Sequence, residues 1–405
     1  MSADNPHLVT VVGIGAGGWS ELSRTGHDTL RSTGVIMGGS RQLALLPPSV
    51  PARRVLLPSP LLPALGELIE EHAAAGLAVL ASGDPMFHGI GVTLVRLLGP
   101  DRVRVIAHPS SAALAAARMG WPLATTEVLS LVTADPATVR RALNPGQRLL
   151  VLSRDAATPA TVAGLVAAAG FGSATITVLS QLGGPSEQVV TGTAGSWEHP
   201  PGDPLNVIAI DCGPDGPATS LAPGLADSAY QTDGQLTKRE VRAVTMSVLA
   251  PVPGALLWDV GAGSGSIGIE WMRSHPSCRA IAIESSAPRA ATIATNAAAL
   301  GVPALQLITG RAPEALAGLP TPDAIFIGGG LTRDGVLDAC LTALRPGGRL
   351  VANAVTVESE AALAAAHAKL GGELIRLSVS RGSPVGNFTG WRPMMPVTIW
   401  SVTTP

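Results

Sequence analysis

Apolar and polar positions along this chain repeat one arrangement. A short continuous apolar run leads into a turn rich in glycine, serine or aspartate, and apolar residues at helical spacing often follow. Short unbroken apolar runs between turn signals predict strands buried on both faces, and their alternation with helices predicts parallel α/β sheets. In the first half the predicted strands are 8–12, 35–37, 78–81, 103–106, 149–152, 175–179 and 206–210. Helices are predicted at 112–119, with Ser110 or Ser111 as its cap, and at 161–169, ended by Gly170. In the second half the strands are 255–258, 280–283, 305–308 and 323–327, with a fifth that begins at 349–351 and ends at 353–356.

Between the halves the pattern lapses. Residues 213–235, GPDGPATSLAPGLADSAYQTDGQ, have little periodic apolar content and the composition of a linker. The predicted division is therefore 1–212, a linker at 213–234, and 235–405. Thr237 followed by Glu240 reads as a capping box opening the second domain.

The chemistry concentrates in the turns. In LLWDVGAGSGSIGIEW an apolar run ends at Asp259 and passes into Gly261, Ala262, Gly263, Ser264 and Gly265. Ile267, Ile269, Trp271 and Met272 then continue as a helix. Glycines let the backbone turn tightly and let a ligand lie against it. Glu284 ends the next apolar run, where a carboxylate can accept both hydroxyls of a ribose. Gly263-x-Gly265-x-x-Gly268 also satisfies a dinucleotide fingerprint, with Glu284 about 20 residues on. An acid at the strand tip opposes a pyrophosphate there, so Asp259 favours a cationic ligand part, such as the amino group and sulfonium of S-adenosylmethionine. The first half has its own loops: Gly13, Gly15 and Gly17 after the first strand; Gly83, Asp84, Phe87 and His88 after the 78–81 strand; and Ser110 and Ser111 after the 103–106 strand. No acid follows Met37, so the first G-x-G-x-x-G lacks a ribose carboxylate.

VVGIGAGG, SGDPMFHG and HPSSAALAAARMGWP together resemble the tetrapyrrole methylase family over residues 8–210, and GGSRQLALLP resembles its subgroup acting at C-5 of a precorrin. The resemblance implies a two-lobed fold, with Gly13, Gly15 and Gly17 lining the catalytic cleft. It also implies that Gly83, Asp84, Phe87, Ser110 and Ser111 border S-adenosylmethionine, and that Leu152 and Ser180 contribute from the second lobe. Ala16 stands where the family often has proline. From Gln235 onward, QLTKREVRA, DVGAGSGSIGIEW, GRAPEAL, AIFIGGG and NAVTVESE resemble the precorrin C-15 methyltransferases with decarboxylase activity. That resemblance implies a Rossmann-like S-adenosylmethionine methyltransferase fold, with Thr237, Arg311, Ala312 and Gly328 joining the motif residues and Glu284 around a second cofactor. Joined in this order, the halves resemble the fused methyltransferases of aerobic cobalamin synthesis, which methylate at C-5 and C-15 and remove the C-12 acetate carboxylate. The expected substrate is a precorrin and the expected assembly a homo-oligomer. No catalytic acid or base is assigned. Asn353, Thr356 and Glu358 are candidates for the substrate pocket, and Glu358 equally fits the first turn of a helix.

Composition narrows the alternatives. With 405 residues the chain is long enough for two or three domains. The net charge of −2 gives no bulk attraction to nucleic acid or an anionic membrane. No run of about eighteen apolar residues predicts a membrane span, and the N-terminus has no basic flank of a signal peptide. Cys212, Cys278 and Cys340 have no zinc or disulfide spacing; no metal is expected, and a cytoplasmic location is. Three competing readings remain: paired methyltransferases for another small molecule, a nicotinamide oxidoreductase, and a non-catalytic S-adenosylmethionine sensor.

Overall fold

The computed structural model describes residues 8–62 and 64–405. The signal-peptide reading concerns residues 1–7, outside the described residues. The chain divides into two units: residues up to 136 with 144–217, and 218–405 with 137–143.

The first unit opens with β1 (Val9–Ile14), α1 (Arg24–Ser32), β2 (Val35–Gly38), α2 (Ser40–Ala44), β3 (Arg53–Leu56), α3 (Leu65–Ala73), β4 (Leu77–Ser82), α4 (Ile90–Leu98) and β5 (Val103–Ile106). The five strands form a parallel sheet in the order β3-β2-β4-β1-β5. Alternate residues explain its unbroken apolar runs. Val12, Ile14 and Leu80 pack with Leu30 of α1 on one face. Val9, Val11 and Val79 pack with Leu65, Ile69 and Leu94 on the other. A second lobe follows α5 (Ser111–Met119): β6 (Glu127–Ser130), β7 (Arg148–Leu152), α6 (Thr158–Ala168), β8 (Thr175–Ser180), β9 (Gln188–Thr193) and β10 (Asn206–Asp211). Its sheet runs β6-β7-β10-β8-β9, with only β6–β7 parallel. Ser110 is the cap of α5, its Oγ accepting the Ala113 N–H at 3.1 Å.

The second unit contains α7 (Arg239–Leu249), β11 (Leu256–Val260), α8 (Ser266–Ser274), β12 (Arg279–Glu284), α9 (Ala287–Ala299), β13 (Gln306–Thr309), β14 (Ala324–Ile327), α10 (Val336–Ala343), β15 (Arg349–Ala354) and α11 (Val357–Leu370). Then come β16 (Glu373–Leu377), the hairpin β17 (Ser380–Val385) and β18 (Phe388–Pro393), and β19 (Val397–Thr403). The sheet order is β13-β12-β11-β14-β15-β19-β16, parallel as far as β15 and antiparallel at β19. Leu257, Ala282 and Phe326 face a core with Ile269, Trp271 and Ile293. Trp258, Ile283 and Ile327 face another with Cys340 and Leu363. The chain leaves β11 first toward β12 and later toward β14, so strand order reverses there. Open α/β sheets bind ligands beyond the carboxyl ends at such a point.

Two local expectations are corrected. Residues 218–234 are built into the second unit, so they are not a free linker. Leu225 and Tyr230 are buried, the N–H groups of Gly224 and Leu225 donate to the Glu270 carboxylate at 2.7 and 3.1 Å, and Asn296 exchanges two hydrogen bonds with Gln231. The capping box at Thr237 does not form. The cap position of α7 is Lys238, whose ammonium has no acceptor for a helix N–H, and Glu240 pairs instead with Arg381 at 2.6 Å.

Candidate active site

β11 ends in the Gly261–Gly265 turn. The N–H groups of Gly261 and Ala262 both donate to the Ile283 carbonyl, at 2.9 and 3.1 Å, which ties the turn to the tip of β12. Gly261 has φ +71°, and a Cβ there would lie 2.7 Å from the Gly329 backbone. Only glycine lets the Gly328–Gly330 loop, beyond β14, approach this closely. Gly263 also has positive φ, +60°, but its missing Cβ would meet nothing nearer than the Gln235 carbonyl at 3.8 Å. It faces a cavity of about 1030 Å³ at the carboxyl ends of β11, β12, β14 and β15.

Ten of the residues expected in this half line that cavity: Thr237, Gly261, Ala262, Gly263, Ser264, Glu284, Arg311, Ala312, Gly328 and Asn353. Gly265 instead starts α8, where a Cβ would press on Ile293 at 2.9 Å. Thr356 caps α11 by accepting the Ser359 N–H, and Glu358 sits exposed in the first turn; neither lines the cavity. That corrects the pocket assignment of both, since the chain turns away after Val355 to start the helix. Arg289, Arg333, Met394 and Met395 also line the wall and were not anticipated, because the first turn of α9 and the loops after β14 and β18 bring them in.

Glu284 is buried at the tip of β12. One carboxylate oxygen accepts the Gly263 N–H at 2.9 Å and the other the Ser286 N–H at 2.8 Å. Each oxygen keeps a further lone pair, and the pair can accept two neighbouring hydroxyls. Glu284→Ala is expected to weaken cofactor binding at this site about ten- to hundredfold, since charge-assisted hydrogen bonds contribute about 1.5–3 kcal/mol each. Titration calorimetry on the full chain reads it; unchanged affinity at both sites removes Glu284 from the binding surface.

Asp259 does not touch the cavity. It lies wholly buried behind the turn, with Oδ2 accepting the Gly268 N–H at 2.9 Å and Oδ1 without a partner. The expected direct contact with a cationic ligand is therefore corrected: the carboxyl sits at the start of α8. Burial pushes its pKa up to about 7; the Gly268 hydrogen bond opposes this and the charge of Glu284 adds to it. The folded chain thus retains a proton that the unfolded chain releases near pH 3.8, and this stabilisation falls as pH rises from there through about 7. Asp259→Asn is expected to flatten that fall in pH-dependent melts of the second unit. The same slope in the variant would sink the assignment.

A buried polar hub holds the segment that supplies Gln235–Lys238 to the wall. Glu270 accepts from the Arg242 Nε at 2.6 Å and the Tyr230 hydroxyl at 3.0 Å, besides Gly224 and Leu225. The Arg242 guanidinium also donates to the Leu225 carbonyl and lies 4.8 Å from the Tyr230 ring centroid. Burial, then the charge of Glu270, raises the Tyr230 pKa. The one sequence signal for this hub is an acid inside the otherwise apolar helix IGIEWM.

In the first unit the expected loops gather at the carboxyl edge of the parallel sheet. A Cβ on Gly13 would strike the Gly83 carbonyl and lie 2.8 Å from His108 Cβ; one on Gly15 would lie 2.7 Å from the His108 ring. Gly17 packs on Glu21. Gly83, φ +58°, passes 3.5 Å from Ser110 Cα and Ser111 N by the same measure. Asp84 Oδ1 accepts the Met86 N–H at 2.8 Å, and the Phe87 ring stands edge-on to His88. Leu152 and Ser180 end β7 and β8, both buried and both paired with β10.

The family model described as Tetrapyrrole (Corrin/Porphyrin) Methylases matches residues 8–197, and that of the precorrin methyltransferase domain matches 228–404. The fold and these two matches define a methyltransferase with two unlike α/β units. A protein of Mycobacterium tuberculosis (strain CDC 1551 / Oshkosh) named precorrin-6Y C(5,15)-methyltransferase [decarboxylating] is 51% identical over 399 residues, covering 98% of this chain and 100% of that one. A protein of the same name from Sinorhizobium sp is 47% identical, covering 100% and 99%. A protein of Pyrobaculum calidifontis named probable cobalt-precorrin-6B C(15)-methyltransferase (decarboxylating) is 34% identical over 184 residues, 44% of this chain and 94% of its own. The chain belongs to the precorrin-6Y C(5,15)-methyltransferase (decarboxylating) family, a family of S-adenosylmethionine-dependent methyltransferases.

Proposed function

We propose that this chain methylates precorrin-6Y at C-5 and C-15 and removes the carboxylate of the C-12 acetate, as a step of cobalamin synthesis. The observation that carries this is likeness to whole relatives of that name across 98% of the chain, both units included. The first unit carries C-5 methylation; the second carries C-15 methylation and decarboxylation. The single-unit-sized relative whose name has C(15) and decarboxylating, but not C(5), supports that division. Each unit takes its own S-adenosylmethionine. The protein works in the cytoplasm as a homo-oligomer without a nucleic-acid partner. Among the described residues no helix is long and apolar enough to cross a membrane.

The cavity of the second unit fits the cofactor. Its turn has room for a ligand against Gly263, and Glu284 offers acceptors for a ribose. S-adenosylmethionine supplies an electrophilic methyl group. The meso carbons of a reduced tetrapyrrole are electron-rich, so the protein must align the partners more than activate them. Orientation alone contributes up to ~7–11 kcal/mol in the best intramolecular cases. This agrees with a wall that offers no paired carboxylates and no Ser–His–Asp set. Lys238 and Arg311 give the wall positive charge for a substrate with several carboxylates, and Arg289 and Arg333 line it while paired with Asp233 and Glu314. Asn353, held by a 2.9 Å hydrogen bond to Thr245, stands at the tip of β15, where the tetrapyrrole would meet the cofactor. Incubating the protein with precorrin-6Y and S-adenosylmethionine, followed by mass spectrometry, tests the reading. It predicts two added methyl groups and one lost carbon dioxide; unchanged precorrin-6Y would overturn it.

A further inference from the structure

The segment Gly38-Gly39-Ser40-Arg41-Gln42 has so far served only as a mark of resemblance. Its structure gives it a physical role. β2 ends at Gly38, where a Cβ would lie 3.2 Å from Leu80, and the extended Gly39 leads at once into α2. Arg41 is thereby set at the carboxyl edge of the first sheet. Its guanidinium donates to the Ser82 Oγ, and Gln42 Nε2 donates to the same oxygen at 3.2 Å. Ser82 is the last residue of β4, immediately before Gly83 and Asp84.

Several arginines of this unit have structural partners. Arg54 donates to the Leu43 and Pro47 carbonyls at 3.2 and 2.8 Å, Arg31 lies over Trp19, and Arg118 pairs with Glu187. Arg41 differs. It is half-buried, and it is in none of the ion pairs among the described residues. Burial lowers its pKa and the charge of Asp203 works against that; Asp203 accepts from Gln181 at 2.9 Å and the Leu205 N–H at 2.7 Å and forms no ion pair with Arg41. A half-buried guanidinium held by a hydrogen bond to a neutral hydroxyl, with no carboxylate in ion-pair contact, is arranged to receive one.

We propose that Arg41 anchors a carboxylate of the tetrapyrrole substrate in the first unit and so helps set its substrate specificity. This rests on the reading of the chain as a precorrin methyltransferase. The cofactor's own carboxylate has the same chemistry, but strand order favours the substrate. The loops expected at the cofactor follow β1, β4 and β5, whereas Arg41 follows β2, on the far side of β4 from β1.

The test uses the full chain and precorrin-6Y, following C-5 methylation. Arg41→Ala is expected to raise KM at least about tenfold, with kcat within about twofold and S-adenosylmethionine affinity unchanged. Arg41→Lys should recover part of the loss. Arg41→Gln, which keeps a donor for Ser82, should not. Wild-type KM in the Gln variant would reduce Arg41 to a structural tie, and lost cofactor affinity would move it to the cofactor; either overturns the proposal. Binding of uroporphyrin as free acid and as methyl ester keeps the test independent of turnover. Arg41→Ala should weaken only the free acid, and equal binding of the free acid by both proteins would overturn the proposal even if precorrin-6Y were not the substrate.

Discussion

The Gly263→Val protein is expected to release a product with one new methyl group, at C-5, and every carboxylate retained. Gly263 holds φ +60° with open space where its Cβ would be. Valine there directs a branched side chain toward the cavity of the second unit, with its Cβ no nearer than 3.8 Å to any protein atom beyond its chain neighbours. The left-handed backbone costs roughly 1–2 kcal/mol, too little to unfold a typical unit. Gly261→Val would be a poorer test, since its Cβ would collide with the Gly329 backbone at 2.7 Å and disturb the loop after β14. The first unit has its own cores around Leu30 and Leu65, so it should remain folded and active. Mass spectrometry of the product decides. Carbon dioxide loss in this variant would overturn the placement of decarboxylation in the second unit.

What could be read from the sequence followed the reach of the interactions. β1, β4, β7, β8 and β10 were located to within two residues, because a strand buried on both faces is an unbroken apolar run, and the edge strand 103–106 was located to the residue from its three branched apolar residues around Arg104. The glycine turns were legible for a similar reason: a backbone that must hold φ +71° or +60° at Gly261 and Gly263 restricts the residue locally. The rest depends on distant partners. β3, β9 and β16 are exposed on much of their length and carry no such run. Glu240 fitted a capping box until Arg381, 141 positions away, took its carboxylate. Asp259 looked like a ligand contact because its type and position were visible, while the direction of its side chain toward Gly268 was not. Residues 218–234 looked like a linker because their order comes from Glu270 and Asn296, not from periodic apolar residues.

That last contrast gives the largest expected loss of stability. Glu270→Ala should destabilise the second unit by about 3–5 kcal/mol, the usual cost of removing one partner of a buried ion pair. The Arg242 side chain is fully buried, and Glu270 at 2.6 Å is its closest counter-charge; Asp227 lies farther off at 3.5 Å. Truncation also leaves the Gly224 and Leu225 N–H groups and the Tyr230 hydroxyl without their acceptor. Glu270→Gln keeps an acceptor but not the charge, so its loss should be smaller. Replacing Glu270 and Arg242 together with methionine should recover part of the stability, because the apolar pair needs no compensation. Denaturant unfolding of the full chain should separate the two units into two transitions, with only the one belonging to the second unit moving to lower denaturant. Cofactor affinity at the second site should fall with it, since Glu270 fixes the segment that carries Gln235–Lys238 to the cavity wall. A Glu270→Ala protein whose unfolding matches wild type would show that this segment is held by Asn296 and its apolar contacts alone.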